Sequence, residues 1–353
     1  MKIAHVAPFA PNRCGLYEAA RDMARADIYG GNTVYFIDSG ITINGKREKS
    51  QIGVIDDRAD FKLTTAKHEL LNDADIIIMH TGISDSYLVK NQAPLIWVVH
   101  GRPLACFRPE RMKKGQSYSL YNTVAKWKRT KGMLYFWREF QPHWDGVLEG
   151  KDIILPYPVV DENRFNTNKE KYQFKNPGKI NILVCDSERE DIDLYELTVG
   201  LIEAAKQFPE IKIHFYGLNM PNGKLDNCYN ILLGRLKNLN CLGDISGRVR
   251  NMETLYNAAD CLISPNKIIT RTIGEALSCG CSVISQNNSL NLVSDYTCDM
   301  SEPKDVIEAI SLFVNDFKNN SINRDSIKTR AKVFSLKVYS DYMNEVYNKV
   351  ISG

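Results

Sequence analysis

Thr270, Arg271, Thr272 and Glu275 crowd four reactive or hydrogen-bonding side chains into the stretch KIITRTIGEALSCGCSVIS, residues 267–285. The apolar run DCLISPN precedes them, IGEALSCG has the pattern of a helix, and a second apolar run, CSVIS, follows. A helix start leaves backbone N–H groups unpaired and carries a partial positive charge, so it suits a phosphate. Thr270 and Thr272 can cap or hydrogen-bond there, and Arg271 can hold an anion in a charged fork. Glu275, about a turn further in, can accept two hydroxyls of a sugar. The same residues also fit an N-capped helix whose acid complements the helix dipole.

Histidines give a second set of candidates. His80 ends DIIIMH and His100 ends PLIWVVH, each at the carboxyl end of an apolar strand pattern. In a parallel sheet that end faces the ligand; otherwise both are strand-end residues bonded to backbone. His5, inside the first strand pattern, reads as a satisfied core residue, and His143 as loop structure. Gly15 follows a proline-rich loop and opens a helix. It either lets backbone amides approach a diphosphate or simply permits a tight turn.

The elements that must position these groups alternate short apolar strands with amphipathic helices, the pattern of a parallel α/β sheet. KIAHVAP, TVYFID, DIIIMHTG and PLIWVVHGR are strand candidates in the first half, with a helix over GLYEAARDMARADIYG. Residues 156–178, rich in proline, asparagine and charge, read as a linker. The alternation then restarts at KINILVC, and the last fifty or so residues are helical. A chain of 353 residues exceeds one comfortable core and predicts two domains. We assign 1–165 with 336–353 to an acceptor-binding domain and 170–335 to a donor-binding domain. No apolar run approaches the roughly 18 residues of a membrane span. Nine scattered cysteines without a CxxC pair point to reduced thiols in a cytoplasm, without disulfide framework or metal site. Without Walker A or GxGxxG, phosphoryl transfer and dinucleotide oxidation have no sequence handle.

Charge is uneven. Residues 102–139 hold ten Lys/Arg and two acids, a net +8 within a chain of net +3, leaving −5 elsewhere. Arg102, Lys126, Trp127, Lys128, Arg129 and Lys131 lie in this segment, with Tyr135, Phe136 and other aromatics interleaved. Cations neutralise a phosphate backbone while aromatics stack on unpaired bases. The mixture equally suits an anionic membrane surface, or a solvated face with core aromatics behind it.

The order NCLGDISGRVRNMETLYNAADCLISPN then GEALSCGCSVIS resembles the donor domain of retaining GT-B glycosyltransferases. RCGLYEAARDMA looks like their N-terminal glycine loop, ILPYPVVDENRF is similar to their interdomain segment, and FSLKVYSDYMNEVY resembles their closing helix. The resemblance implies two Rossmann-like domains facing a central cleft, with the C-terminal helix returning to the N-domain. It matches Glu275 to the family glutamate that grips the nucleotide ribose, and His100 to a histidine against the donor sugar and the scissile bond. The family's first glutamate falls on Lys267, which could hold the diphosphate instead. Its Gly-Arg and lysine are replaced by VCDSERED, where Arg189 alone could substitute.

The resemblance implies metal-independent, retaining transfer from a nucleotide-diphosphate sugar, a UDP-sugar by expectation, with no cofactor. His100, Arg271 and Lys267 would serve the chemistry; Gly15, Arg189, Lys267, Thr270, Arg271, Thr272 and Glu275 would bind the donor. The basic segment favours DNA carrying a 5-hydroxymethyl pyrimidine, as in the bacteriophage DNA-modifying branch, in the host cytoplasm. The alternatives are a lipid-linked or polysaccharide acceptor at a membrane surface, and a nucleic-acid-binding protein whose donor site has decayed.

Overall fold

A computed structural model of the chain describes residues 1–7, 15–38, 42–43, 46–47, 62–65, 71–80, 92–100, 130–136, 138–145, 150–186, 192–218, 227–247, 249, 251–287 and 293–352. Two compact units emerge: Met1–Asp161 with Phe334–Gly353, and Glu162–Val333.

The first unit is built on β1 (Lys2–Ala7), α1 (Gly15–Tyr29), β2 (Thr33–Asp38), a small hairpin of β3 (Thr42–Ile43) and β4 (Lys46–Arg47), β5 (Lys62–Thr65), β6 (Ile76–Met79), β7 (Leu95–Val99), β8 (Thr130–Phe136), α2 (Gln141–Asp145) and β9 (Asp152–Leu155). Its seven-stranded sheet runs β5-β2-β1-β6-β7-β8-β9, and each pairing is parallel. Parallel strands are covered on both faces and so read as unbroken apolar runs. Accordingly Ile76–Met79 and Leu95–Val99 are buried throughout.

Strand β8 corrects the reading of the basic segment. Tyr135 and Phe136 are 0% and 4% exposed, so they are core residues of the sheet and unable to stack on bases. Lys131 and Arg138 are exposed. Arg102, Lys126, Trp127, Lys128 and Arg129 lie outside the described residues.

The helix α9 (Leu336–Ser352) closes the first unit against α1. Tyr347 donates its hydroxyl to Asp27 at 3.0 Å, and Asn32 bonds Asn344 at 2.9 Å. Gly30 makes this crossing close, since a Cβ there would press on the side-chain ends of Ser340 and of Asn344, whose Nδ2 would be 2.8 Å away.

The second unit comprises β10 (Ile180–Cys185), α3 (Leu194–Gln207), β11 (Ile211–Tyr216), α4 (Asn227–Asn238), β12 (Leu242–Ser246), α5 (Met252–Ala258), β13 (Cys261–Ser264), α6 (Arg271–Ser278), β14 (Ser282–Gln286), β15 (Tyr296–Cys298), α7 (Pro303–Lys318) and α8 (Arg324–Ala331). The parallel six-stranded sheet runs β12-β11-β10-β13-β14-β15. Its largest apolar cluster joins β10, β11 and β13 to α3, α4 and α7 through Leu197, Leu201, Phe215, Leu236 and Phe313. Only the first part of the expected linker is packed: Val159, Val160 and Phe165 are 2%, 1% and 1% exposed, whereas no residue of 167–178 is buried.

Candidate functional site

In the second unit the strand order reverses between β10 and β13. From β10 the chain goes through α3 to β11 on one side; from β13 it goes through α6 to β14 on the other. Such a switch point opens a crevice at the carboxyl ends of the two strands, where ligands of open α/β sheets bind. Asp186 follows β10, and Asn266 and Lys267 follow β13. Asn266 donates to Asp186 across the reversal, and the Lys267 ammonium reaches Asp193, just before α3, at 2.9 Å. This lysine is therefore held by a carboxylate within the crevice, with its side chain 40% exposed.

Thr270 is the N-cap residue of α6, with extended backbone at φ −106° and ψ 166°, but its side chain does not cap. Its hydroxyl bonds that of Thr272 at 2.6 Å, so of the two roles the sequence offers these threonines, capping or hydrogen bonding, the second is the one adopted. The helix ends in a Schellman motif. Gly280 N–H bonds Leu277 O at 2.9 Å, and Cys281 N–H bonds Ala276 O at 3.0 Å. Gly280 takes φ +70°, the left-handed conformation that glycine adopts without cost.

Glu275 lies beyond the first turn of α6, which carries no acid. It is 6% exposed. Arg271, four residues earlier, ion-pairs with Glu275 Oε1, and Tyr256 of α5 donates to Oε2 at 3.2 Å. Burial, and then the Glu275 charge, push the Tyr256 hydroxyl well above the usual tyrosine range, so it remains a donor at neutral pH. Arg271 was expected to meet an anion; the structure turns it onto Glu275, making the two a single charged unit. Arg189 lies outside the described residues. An added Cβ at Gly15 meets nothing within 4 Å, so among the described residues no close approach requires that glycine.

The first unit has its own reversal, between β1 and β6, and the histidines gather there. His5 of β1, His80 after β6 and His100 after β7 form a hydrogen-bonded row. His100 Nε2 is 2.8 Å from His80 Nδ1, and His80 Nε2 is 2.9 Å from His5 Nδ1. His5 Nε2 is 2.7 Å from Asp27 Oδ2. The rings stack at centroid distances of 5.0 and 5.2 Å. His5 is a satisfied core residue as expected, but His80 and His100 are bonded through their rings to each other. His143 lies on α2 with its ring edge-on to Phe140 at 6.5 Å.

Sequence reasoning missed Tyr256, Asp193 and Asp27. Each sits on a recognisable helix or helix start, but contact with the site depends on packing between elements distant in sequence. Burial raises the thiols of Cys185, Cys261, Cys279 and Cys281, which keeps them as neutral packing groups. Among the described residues, no group of three His, Cys, Asp or Glu could hold a metal ion, and no helix is long and apolar enough to cross a membrane.

Neither a protein-family model nor a curated protein matches the sequence. Solved structures do match its fold over nearly the whole chain. HepE of Anabaena, in complex with UDP and glucose, is 12% identical, covering 99% of this chain and 100% of its own, at a TM-score of 0.69. A glycosyltransferase of Rickettsia africae is 15% identical, covering 99% and 98%, at a TM-score of 0.65. Sucrose-phosphate synthase of Thermosynechococcus elongatus is 13% identical, covering 100% and 99%, at a TM-score of 0.66. The two parallel Rossmann-like units of this chain are those of the GT-B glycosyltransferase fold.

Proposed function

We propose that the protein is a retaining, metal-independent glycosyltransferase that takes a sugar from a nucleotide diphosphate, with UDP-sugars the first donors to test. The observation that carries this reading is Glu275, buried at 6% exposure beside the strand reversal and fixed by Tyr256 and Arg271. A carboxylate so oriented suits the vicinal hydroxyls of a ribose. The start of α6, with Thr270 and Thr272, would meet the diphosphate, with Lys267 and Arg189 as further cations. The fold neighbour HepE was solved with UDP-glucose, which supports the donor class.

In this reading the acceptor hydroxyl attacks the anomeric carbon from the face on which the diphosphate leaves. A phosphate oxygen takes the proton. The protein contributes fixed dipoles and cations that stabilise charge developing on the leaving group, and it holds the partners together. Arg271 serves this by meeting that charge, and its attachment to Glu275 couples ribose binding to leaving-group stabilisation.

For the acceptor we favour a 5-hydroxymethyl pyrimidine in DNA, in a bacteriophage-infected host cytoplasm. The net +8 of residues 102–139 supports it; the target base would leave the duplex to reach the enzyme. A second reading, a lipid-linked glycan acceptor at a membrane surface, is supported by the fold neighbour described as a lipopolysaccharide outer core galactosyltransferase, 12% identical with a TM-score of 0.59. The test is incubation with hydroxymethylated and plain DNA and a panel of activated sugars, followed by nucleoside mass measurement. A hexose or pentose increment on hydroxymethylated DNA alone is expected. No increment, with binding to anionic liposomes, would move the assignment to the lipid acceptor. No melting shift with any nucleotide diphosphate or nucleotide sugar would refute the donor site.

A further inference from the structure

Asp193 stands at the head of α3 as its N-cap residue, yet the helix start is not capped. The N–H groups of Tyr195 and Glu196, in the first turn, have no acceptor within the helix. An aspartate in this place ordinarily accepts from one of them. Here its side chain makes no capping hydrogen bond, and its backbone, at φ −91° and ψ 53°, is not in the extended conformation of a capping residue.

The carboxylate has turned the other way, towards the Lys267 ammonium at 2.9 Å. Charge makes that contact: Oδ2, the oxygen facing the ammonium, is buried and has no hydrogen-bond partner among the described residues. Asp299 also lies in the field of Lys267, but it is fixed by the N–H and hydroxyl of Ser301 and by Gln286. Asp193 is the acid left with a choice. The Lys267 and Asp193 side chains are 40% and 22% exposed, and a pair so hydrated contributes a factor of only about two to five. A diphosphate at the start of α6 carries more charge than one carboxylate and takes the ammonium from it.

We propose that Asp193 is a positioning residue with two partners: it holds Lys267 until a nucleotide diphosphate takes the ammonium, and then turns to cap α3. The donor thus displaces a carboxylate within the chain, and the carboxylate is not stranded, because two first-turn N–H groups are waiting for an acceptor. Binding at the head of α6 is thereby linked to the order of the first turn of α3, on the other side of the strand reversal. The proposal rests on the glycosyltransferase reading for the identity of the ligand; the exchange of partners at Asp193 is a property of the chain alone.

Calorimetry with UDP and amide hydrogen exchange, both on the full chain, test the two halves. Asp193→Asn keeps a side chain that caps as well as aspartate does but offers Lys267 no charge, so UDP should bind about threefold more tightly. In a Lys267→Ala background the same change should leave the affinity as it is. Weaker binding in Asp193→Asn would mean that the aspartate aims the lysine at the phosphates, and equal strengthening with and without Lys267 would make it a bystander charge; either overturns the proposal. The second half needs no nucleotide. In Lys267→Ala the released carboxylate should cap α3 and slow exchange of the Tyr195 and Glu196 amides about fivefold, and adding Asp193→Ala should restore the fast rate. The lost ion pair largely offsets that gain in global stability. Unchanged exchange in Lys267→Ala overturns the swap whatever UDP does. Slowed amides in a protein whose unaltered form binds no UDP would support the swap and refute the donor reading, so the two failures are distinct.

Discussion

Arg271 and Glu275 face the most informative perturbation, because the structure makes them one unit. Their side chains are 13% and 8% exposed, so removing one leaves the other charged and largely out of water. Breaking such a pair costs about 3–5 kcal/mol, whereas replacing both members with apolar groups is often close to neutral. Glu275→Gln keeps an acceptor for Tyr256 but no charge for Arg271; Arg271→Met keeps the aliphatic stem but leaves the carboxylate, still bonded by Tyr256, without the guanidinium charge. Each single change should therefore destabilise the second unit by about 3 kcal/mol, roughly a hundredfold in the folded-to-unfolded ratio. The double change should cost no more than either alone, a coupling of about 3 kcal/mol. Urea melts of the four proteins measure it. Single effects that add in the double variant to within about 0.5 kcal/mol would refute the coupled-pair reasoning. The same proteins report on the donor site. A nucleotide diphosphate at a hundred times its dissociation constant should stabilise the unaltered protein by about 2.7 kcal/mol, and Glu275→Gln should lose most of that gain.

Acid should weaken the second unit through His214. This ring is 0% exposed, accepts at Nδ1 from the Asp244 N–H at 2.9 Å and donates from Nε2 to Asn181 at 3.2 Å, so its neutral form is the one satisfied. Burial lowers its pKa from 6.5 to about 4. Between those values the unfolded chain binds the extra proton, so stability falls as pH drops, by about 2 kcal/mol from pH 7 to 5. His214→Gln should remove that part of the pH dependence, read from urea midpoints; an unchanged slope would contradict the assignment. Gly200→Ala should destabilise by about 1–3 kcal/mol, since its Cβ would lie 2.7 Å from Val306 Cβ where α3 meets α7; a neutral melt would show that the two helices can part. Lys267→Ala should change stability by no more than about 0.5 kcal/mol, its pair with Asp193 being half in water, yet weaken nucleotide-diphosphate binding about tenfold in calorimetry. Unaltered affinity would remove Lys267 from the donor site.

The sheet architecture was legible because buried parallel strands are unbroken apolar runs: IIIM, LIWVV and CLIS read directly as β6, β7 and β13. The position of α6 was legible from its flanking apolar runs, DCLISPN and CSVIS. Strand β8 was obscured by its setting, since Thr130–Phe136 emerges from a lysine-rich run and its aromatics looked like a surface patch. Partners that come from other elements were not legible. That Arg271 folds onto Glu275 follows from their spacing of four, but Tyr256 meets the same carboxylate only because α5 packs beside α6. Likewise nothing in the spacing of residues 5, 27, 80 and 100 announces a row. It requires three neighbouring strands in register, with α1 laid across them.

The hydroxyl of Tyr347 reaching Asp27 has a consequence for synthesis. The helix that covers α1 lies beyond the whole of Glu162–Val333 in chain order, so the sheet made first by the ribosome waits longest for its cover. The later-made unit, continuous in sequence, can reach its final packing before the earlier one is sealed. Until α9 arrives, the imidazole row is anchored to a carboxylate without its phenol.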